Sequence, residues 1–358
     1  MTETAGQSAT SASGGLGRAD AASVQPIDPS ATDPDPAAVL VAVPALNEAN
    51  NIRDCLASLF ADPWMMDVPV VVADGGSTDA TCEIVRALQG EYPSLRLREN
   101  PKRLQSAALN AVAAVAADTA RVLVRCDAHA TYPVGYVRAV ARELLARPEA
   151  ASLVTPMDAR GQGCFSSAAA WVVDTPLGSG GSAHRGGTRS GWVDHGHHAG
   201  FRLDWYNKIR GYDESFSHNE DAEFDHRLGL AGGQIWLDAG IRLDYRMRRG
   251  PRALARQYWN YGQGRARTVR KHRLRPRLRQ LIPVVNLLAQ ALALLLAPLF
   301  PVTLLLPAVY LAVLALVSLV GAVRLGSVCG LWAGSALLIM HMAWGAGFLR
   351  QSLRGVGG

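Results

Sequence analysis

Asp127 and His129 stand two apart at the end of the run 121–126, and in an extended segment residues i and i+2 point to the same side. A carboxylate oxygen and an imidazole nitrogen presented together can address one divalent cation, a donor pair that suits Mn²⁺ somewhat better than Mg²⁺. Two more polar clusters occupy similar places. Asn47-Glu48 follows the run 39–43 and Pro44, and Asp74-Gly75-Gly76-Ser77-Thr78-Asp79 follows the valine-rich run 68–73. Downstream, Glu220-Asp221 opens the helical stretch 222–231, where an acid either caps the helix, worth about 1 kcal/mol, or acts on a ligand. Each cluster is weak alone, since a turn with Asp79 capping the next helix explains the second without any ligand. Their order along the chain is the stronger signal.

Such clusters need strands that end together. The runs 39–43 and 68–73 are continuously apolar, as suits a sheet covered by helices on both faces, and 51–60 has helical spacing through Ile52, Leu56 and Leu59. Ligands bind α/β sheets of this kind at the carboxyl ends of the strands, where all three clusters lie.

Charge divides the chain in two. Residues 1–244 hold 30 acids and 20 bases, and residues 245–358 hold 16 bases and no acid. Within the second part, 281–323 and 325–349 are uncharged apart from His341, and only Arg324 separates them. About 20 apolar residues cross a hydrocarbon core, so the tail predicts three spans near 281–300, 302–323 and 327–349, with Pro298 and Pro301 breaking the first from the second. The segment 251–280 carries ten bases, which the positive-inside rule puts on the cytoplasmic face against anionic lipid headgroups. Membrane lipids explain these bases, and nucleic acid is not expected as a partner. Three spans would put Arg350 and Arg354 outside, against that rule; two spans plus a re-entrant or interfacial segment is the alternative.

Residues 1–37 lack an apolar signal core and read as a disordered tail, and 350–358 form a short C-terminal tail. Five cysteines without paired spacing suit a reducing compartment. The Gly-rich segment 178–191, with His184, Arg185 and Arg189, reads as a mobile or passive surface loop.

The ordered set Pro44-Ala-Leu-Asn47-Glu48, Asp74-Gly-Gly-Ser-Thr-Asp79, Asp127-Ala-His129 and Asn219-Glu220-Asp221 resembles the inverting family 2 glycosyltransferases over about residues 38–265. Within them the chain is similar to the membrane-bound ExoA-type succinoglycan glucosyltransferases, through Asn100-Pro-Lys-Arg103-Leu-Gln-Ser106, Leu177-Gly-Ser-Gly-Gly-Ser-Ala-His-Arg185 and Val193-Asp-His-Gly-His-His-Ala199. The resemblance implies a GT-A fold, a Rossmann-like α/β nucleotide-diphospho-sugar transferase domain, over 38–250. A basic juxtamembrane segment, 251–280, and a transmembrane region, 281–349, would follow.

It also implies roles. Pro44, Asn47, Glu48, Asp74, Gly75, Arg103 and Asp127 would bind the nucleotide sugar. Asp127 and His129 would hold Mn²⁺ or Mg²⁺, with His197 or His198 as a further ligand. Asp221, beside Glu220, would be the base that deprotonates the acceptor. The third metal position is His where the family commonly has Asp, which leaves the ion's identity open. The expected donor is UDP-glucose, the acceptor a polyprenyl-diphosphate-linked glycan, and the setting exopolysaccharide biosynthesis at the cell membrane with a cytoplasmic catalytic domain. Absence of a Gln-x-x-Arg-Trp motif near 256–265 favours single-sugar transfer over a processive polysaccharide synthase. A polyprenyl-phosphate glycosyltransferase and a non-catalytic scaffold binding nucleotide sugars remain the alternatives.

Overall fold

The computed structural model describes residues 32–181, 185 and 187–354. Most of the N-terminal tail, His184 and residues 355–358 lie outside the described residues.

The chain alternates strand and helix at first: β1 (Val39–Ala45), α1 (Ile52–Phe60), β2 (Val70–Asp74), α2 (Thr81–Leu88), β3 (Leu95–Glu99), α3 (Gln105–Ala113), β4 (Val122–Arg125) and α4 (Tyr136–Ala146). It continues through β5 (Ala150–Val154), β6 (Met157–Arg160), α5 (Cys164–Val173), α6 (Pro176–Ser179), β7 (Gly191–Val193), β8 (His198–Arg202), α7 (Leu203–Lys208), α8 (Glu220–Leu230), β9 (Gln234–Leu237) and β10 (Leu243–Arg246). Eight strands form one sheet in the order β3-β2-β1-β4-β8-β5-β9-β7, and β6 pairs with β10 in a small second sheet. The half built from β3, β2, β1 and β4 is parallel, and β8 enters antiparallel beside β4.

Side chains of β1 show why this half is apolar throughout. Val39, Val41 and Val43 pack with Ile52, Leu56 and Val140 on one face, while Leu40 and Ala42 pack with Leu109, Tyr206 and Phe224 on the other. Both faces are covered, so no position along the strand is free to be polar. The polar residues are displaced to the strand ends.

Four helices complete the chain: α9 (Pro251–Lys271), α10 (Leu278–Leu296), α11 (Leu305–Leu325) and α12 (Ala333–Leu353). The last three lie in segments long and apolar enough to cross a membrane, with mean hydropathy 1.6, 2.5 and 1.4. The break expected at Pro298 and Pro301 separates α10 from α11. Cys164, opening α5, and Cys329, in the turn before α12, are joined by a disulfide, where the sequence reading expects reduced thiols. Their separation of 165 residues gives no spacing signal, and only the fold brings them together.

Candidate active site

The loops after β1, β2 and β4 meet at the carboxyl end of the parallel half-sheet and brace one another. Asn47, at φ 56°, accepts from the Thr78 N–H at 2.8 Å, and its own N–H donates to Ser77 Oγ at 2.8 Å. Asp74 is engaged by its own turn, accepting from the Gly76 and Ser77 N–H groups at 2.8 and 2.9 Å. Asp79 accepts from the N–H groups of Thr81 at 3.0 Å and Ala49 at 3.1 Å, so it ties the second loop to the first as well as bracing α2.

A cavity of about 210 Å³ opens between these loops, lined by Pro44, Glu48, Gly75, Arg103, Asp127 and His129 among others. Asn47 and Asp74 support its walls without lining it. Lys102 is ion-paired with Glu214. Glu48 accepts from Asn51 Nδ2 at 2.7 Å and stands 3.3 Å from His129 Nδ1. Burial would raise the Glu48 carboxyl, but the bonds from His129 and Asn51 outweigh it and lower the pKa.

Asp127 sits where this cavity meets a larger one. Its Oδ1 accepts from Gln105 Nε2 at 2.9 Å and Arg125 Nε at 3.2 Å, and its Oδ2 faces His197 Nε2 at 3.7 Å. Burial pushes the carboxyl up, yet Arg125, His197 and His129 together hold it at about 2. Burial and then Arg125 push His197 down to about 4, so its imidazole is neutral at pH 7 and has a lone pair to offer. His129 lines the smaller cavity together with Asp127 and has Glu48 as an ion-pair partner.

The neighbouring histidines do something else. His195 Nδ1 and His198 Nε2 each lie 2.6 Å from a different oxygen of buried Asp225 on α8. This clamp fixes the segment between β7 and β8 to α8 and leaves His197, between them, facing Asp127. Of the two further ligands considered, His198 is thereby taken by Asp225.

Helix α8 begins at Glu220, with Asn219 as its cap in the left-handed region at φ 63°. Asp221 is in the first turn and makes no cap bond, so the bland reading of it as an N-cap does not hold. Its Oδ1 accepts from Arg125 Nη1 at 3.0 Å and Tyr212 Oη at 2.5 Å. Burial opposes ionisation, but Arg125, His198 and His197 keep Asp221 ionised well below the usual carboxylate range. Burial and the adjacent Asp221 push Glu220 the other way, up to about 7.

Sequence reasoning missed Arg125, Gln105, Tyr212 and Asp225. Only Arg125 left a signal, a lone cation inside the strand Val122–Arg125, whose four residues are all buried.

The larger cavity, about 770 Å³, runs from Asp127, His197 and Asp221 to Pro283 of α10 and Trp344 of α12. Arg185, Arg248, Arg265 and Arg279 line it. Arg185 stacks over the Tyr245 ring at 4.6 Å, and its Nη1 is buried with no hydrogen-bond partner among the described residues. Burial lowers Arg265 to about 10, still cationic at neutral pH.

The family model for glycosyl transferase family 2 matches residues 40–210. The succinoglycan biosynthesis protein ExoA of Rhizobium meliloti (strain 1021) is 40% identical over 332 residues, covering 88% of this chain and 94% of the relative. The chain belongs to glycosyl transferase family 2. The fold of this glycosyltransferase is also that of the mannosyltransferase PcManGT from Pyrobaculum calidifontis, solved with GDP-Man and Mn²⁺. The TM-score is 0.55 at 20% identity, covering 88% of this chain and 89% of that one. The GT-A expectation therefore holds, and the braced loops around Asp127 are those of a glycosyltransferase domain.

Proposed function

We propose that this glycosyltransferase moves glucose from UDP-glucose to a polyprenyl-diphosphate-linked glycan during exopolysaccharide assembly, on the cytoplasmic face of the cell membrane. The observation that carries this reading is the larger cavity, which joins Asp127 and Asp221 to the apolar helices through a wall of arginines. Cations with no carboxylate partner among the described residues suit a diphosphate, and the apolar end suits the lipid attached to it. The likeness to ExoA supports the pathway.

The smaller cavity would take the nucleotide, with Glu48 accepting from the base or ribose and Arg103 facing the base or diphosphate. Asp127 and His197 would hold a divalent cation, Mn²⁺ or Mg²⁺, with His129 beside them. Among the described residues no three acidic, His or Cys side chains form a metal cluster. The donor set nevertheless fits an ion held mainly by substrate: one carboxylate and one neutral imidazole, leaving the remaining positions to diphosphate oxygens and water. When bound, such a cation neutralises the charge developing on the leaving diphosphate.

Asp221 would act as the base. Arg125 and Tyr212 hold Oδ1, which fixes the carboxylate and would leave Oδ2 for the acceptor. The acceptor oxygen would form its bond to the anomeric carbon as the bond to the diphosphate breaks, and its proton would pass to Oδ2, with inversion. Positioned bases contribute roughly 10²- to 10⁴-fold.

The test is transfer by the detergent-solubilised protein from UDP-, GDP- and TDP-sugars to lipid extract, with and without Mn²⁺. Metal-dependent use of UDP-glucose is expected, lost in Asp221→Asn while UDP still binds. Full activity of that variant would remove the assigned base, and a lipid product containing a single phosphate would make the acceptor a polyprenyl phosphate.

A further inference from the structure

Hydropathy gives α10, α11 and α12 equal standing as membrane spans, but the packing does not. Helix α12 runs alongside α9 for its whole length. Leu337 and Met340 share a buried cluster with Leu254 and Tyr258, and Phe348 packs on Ala266. Arg270 Nη1 donates to the Gln351 carbonyl at 2.7 Å and also to that of Arg354. The backbones touch in between: a Cβ on Gly262 would meet the Trp344 carbonyl oxygen at 2.1 Å, and one on Gly347 would meet the Trp259 carbonyl oxygen at 2.2 Å. The two axes are therefore parallel and in direct contact.

Helix α9 cannot be in the hydrocarbon. It carries six Arg or Lys residues and no acid, and both of its ends are fixed to the catalytic domain. Gln257 donates to Tyr245 Oη at 2.5 Å near the start, and Lys271 reaches Asp213 at 2.6 Å and Glu223 at 2.5 Å at the end. A helix pinned in this way lies under the domain, and charges at bilayer depth are expensive. Whatever orientation α9 has, α12 shares.

The other two helices behave differently. The 297–304 turn between α10 and α11 exposes Leu299 and Phe300, and its Pro301–Leu304 part packs chiefly on those two helices, with Thr303 Oγ1 donating to the Ala293 carbonyl. Helix α11 then returns to the domain side, where Gly321 meets Trp171 of α5, and the disulfide ties the next turn to α5.

We infer that the chain crosses the bilayer twice, through α10 and α11, and that α12 lies with α9 on the lipid surface, so that Arg354 is on the same side as the catalytic domain. This rests on the membrane anchoring proposed above but not on the transfer chemistry. Exposed Arg252 and Arg256 on α9 give the surface pair its affinity for anionic headgroups. The platform is also the floor of the larger cavity, to which Tyr261 of α9 and Trp344 of α12 both contribute.

Single cysteines placed in the full chain test this, in a background with all five native cysteines changed to Ser that retains transfer activity. Glu91→Cys reports the catalytic domain, Leu299→Cys the 297–304 turn and Ser352→Cys the end of α12. With an impermeant maleimide on sealed vesicles of each orientation, Glu91→Cys and Ser352→Cys should react from one side and Leu299→Cys from the other. Ser352→Cys reacting from the Leu299→Cys side would restore three crossings and overturn the inference. All three reacting from one side would overturn the inference and the anchoring together, while transfer activity reports separately on the proposed chemistry.

Discussion

Arg125 donates to Asp221 at 3.0 Å while its Nε reaches Asp127 at 3.2 Å, so one buried guanidinium joins the carboxylate at the end of β4 to the one at the start of α8. The two acids come from segments 94 residues apart in the chain, and without the cation between them both would be left half-buried, with only the neutral donors Gln105 and Tyr212 bonded to their carboxylates among the described residues. Arg125→Leu should therefore destabilise the domain by about 3–5 kcal/mol, the cost of breaking a buried pair from one side. Arg125→Lys, which keeps the charge but not the fork, should recover part of the stability and little of the activity. Denaturant melts and transfer rates of the two variants check this; equal activity of Arg125→Lys and the native protein would show that the fork does not position Asp221.

Glu220 is lifted to about 7 by burial and by Asp221, from an ordinary value of 4.5. The folded state therefore binds this proton more tightly than the unfolded chain. Its contribution to stability is complete below about pH 4.5 and is lost as pH rises through 7. Glu220→Gln, which mimics the protonated form, should melt several degrees higher than the native protein at pH 8 and nearly equal to it at pH 5. A melting difference that does not change between these pH values would mean that Glu220 is ionised throughout.

The parallel half-sheet was legible because Val39–Val43 and Val68–Ala73 are too apolar for anything but a doubly covered strand, and the loops after them stood where a ligand belongs. What decides the site was less legible. Asp127 and His129 have the right spacing for one ion, yet period two says nothing about a carboxylate from another loop, and Glu48 becomes the partner of His129. Among three neighbouring histidines, Asp225 selects the two that serve as struts, from a helix about 30 residues downstream in the chain. Likewise, hydropathy measures the apolar content of α12 but not the helix beside it. Long-range pairing of this kind leaves no local pattern.

The division among the histidines is measurable. His197→Ala removes a neutral imidazole 3.7 Å from Asp127 and should raise the Mn²⁺ concentration for half-maximal transfer at least roughly tenfold, since even residues that only hydrogen-bond to a metal's ligands are worth that much. His195→Ala should act on stability instead, by freeing one oxygen of buried Asp225, and should lower the melting temperature with far less change in the Mn²⁺ requirement. Titrating Mn²⁺ against activity in both variants separates the roles. A larger shift in His195→Ala would reverse the assignment.

Arg265 tests the acceptor site proposed for the larger cavity. It projects from α9, is substantially desolvated and has no acid within ion-pair distance among the described residues, so its charge is available to a bound anion. A hydrogen bond to a charged group is worth about 1.5–3 kcal/mol, so Arg265→Gln should raise KM for the lipid-diphosphate acceptor roughly ten- to hundredfold. The KM for the nucleotide sugar should stay near its native value, because the smaller cavity, the proposed donor site, is lined from the ends of β1, β2, β3 and β4 and not by α9. Arg252→Gln, exposed on the same helix and outside the cavity, controls for loss of general attraction to anionic lipid. If Arg252→Gln and Arg265→Gln raise the acceptor KM alike, the arginines act through the membrane surface; if Arg265→Gln raises the donor KM instead, its anion is the departing nucleotide diphosphate.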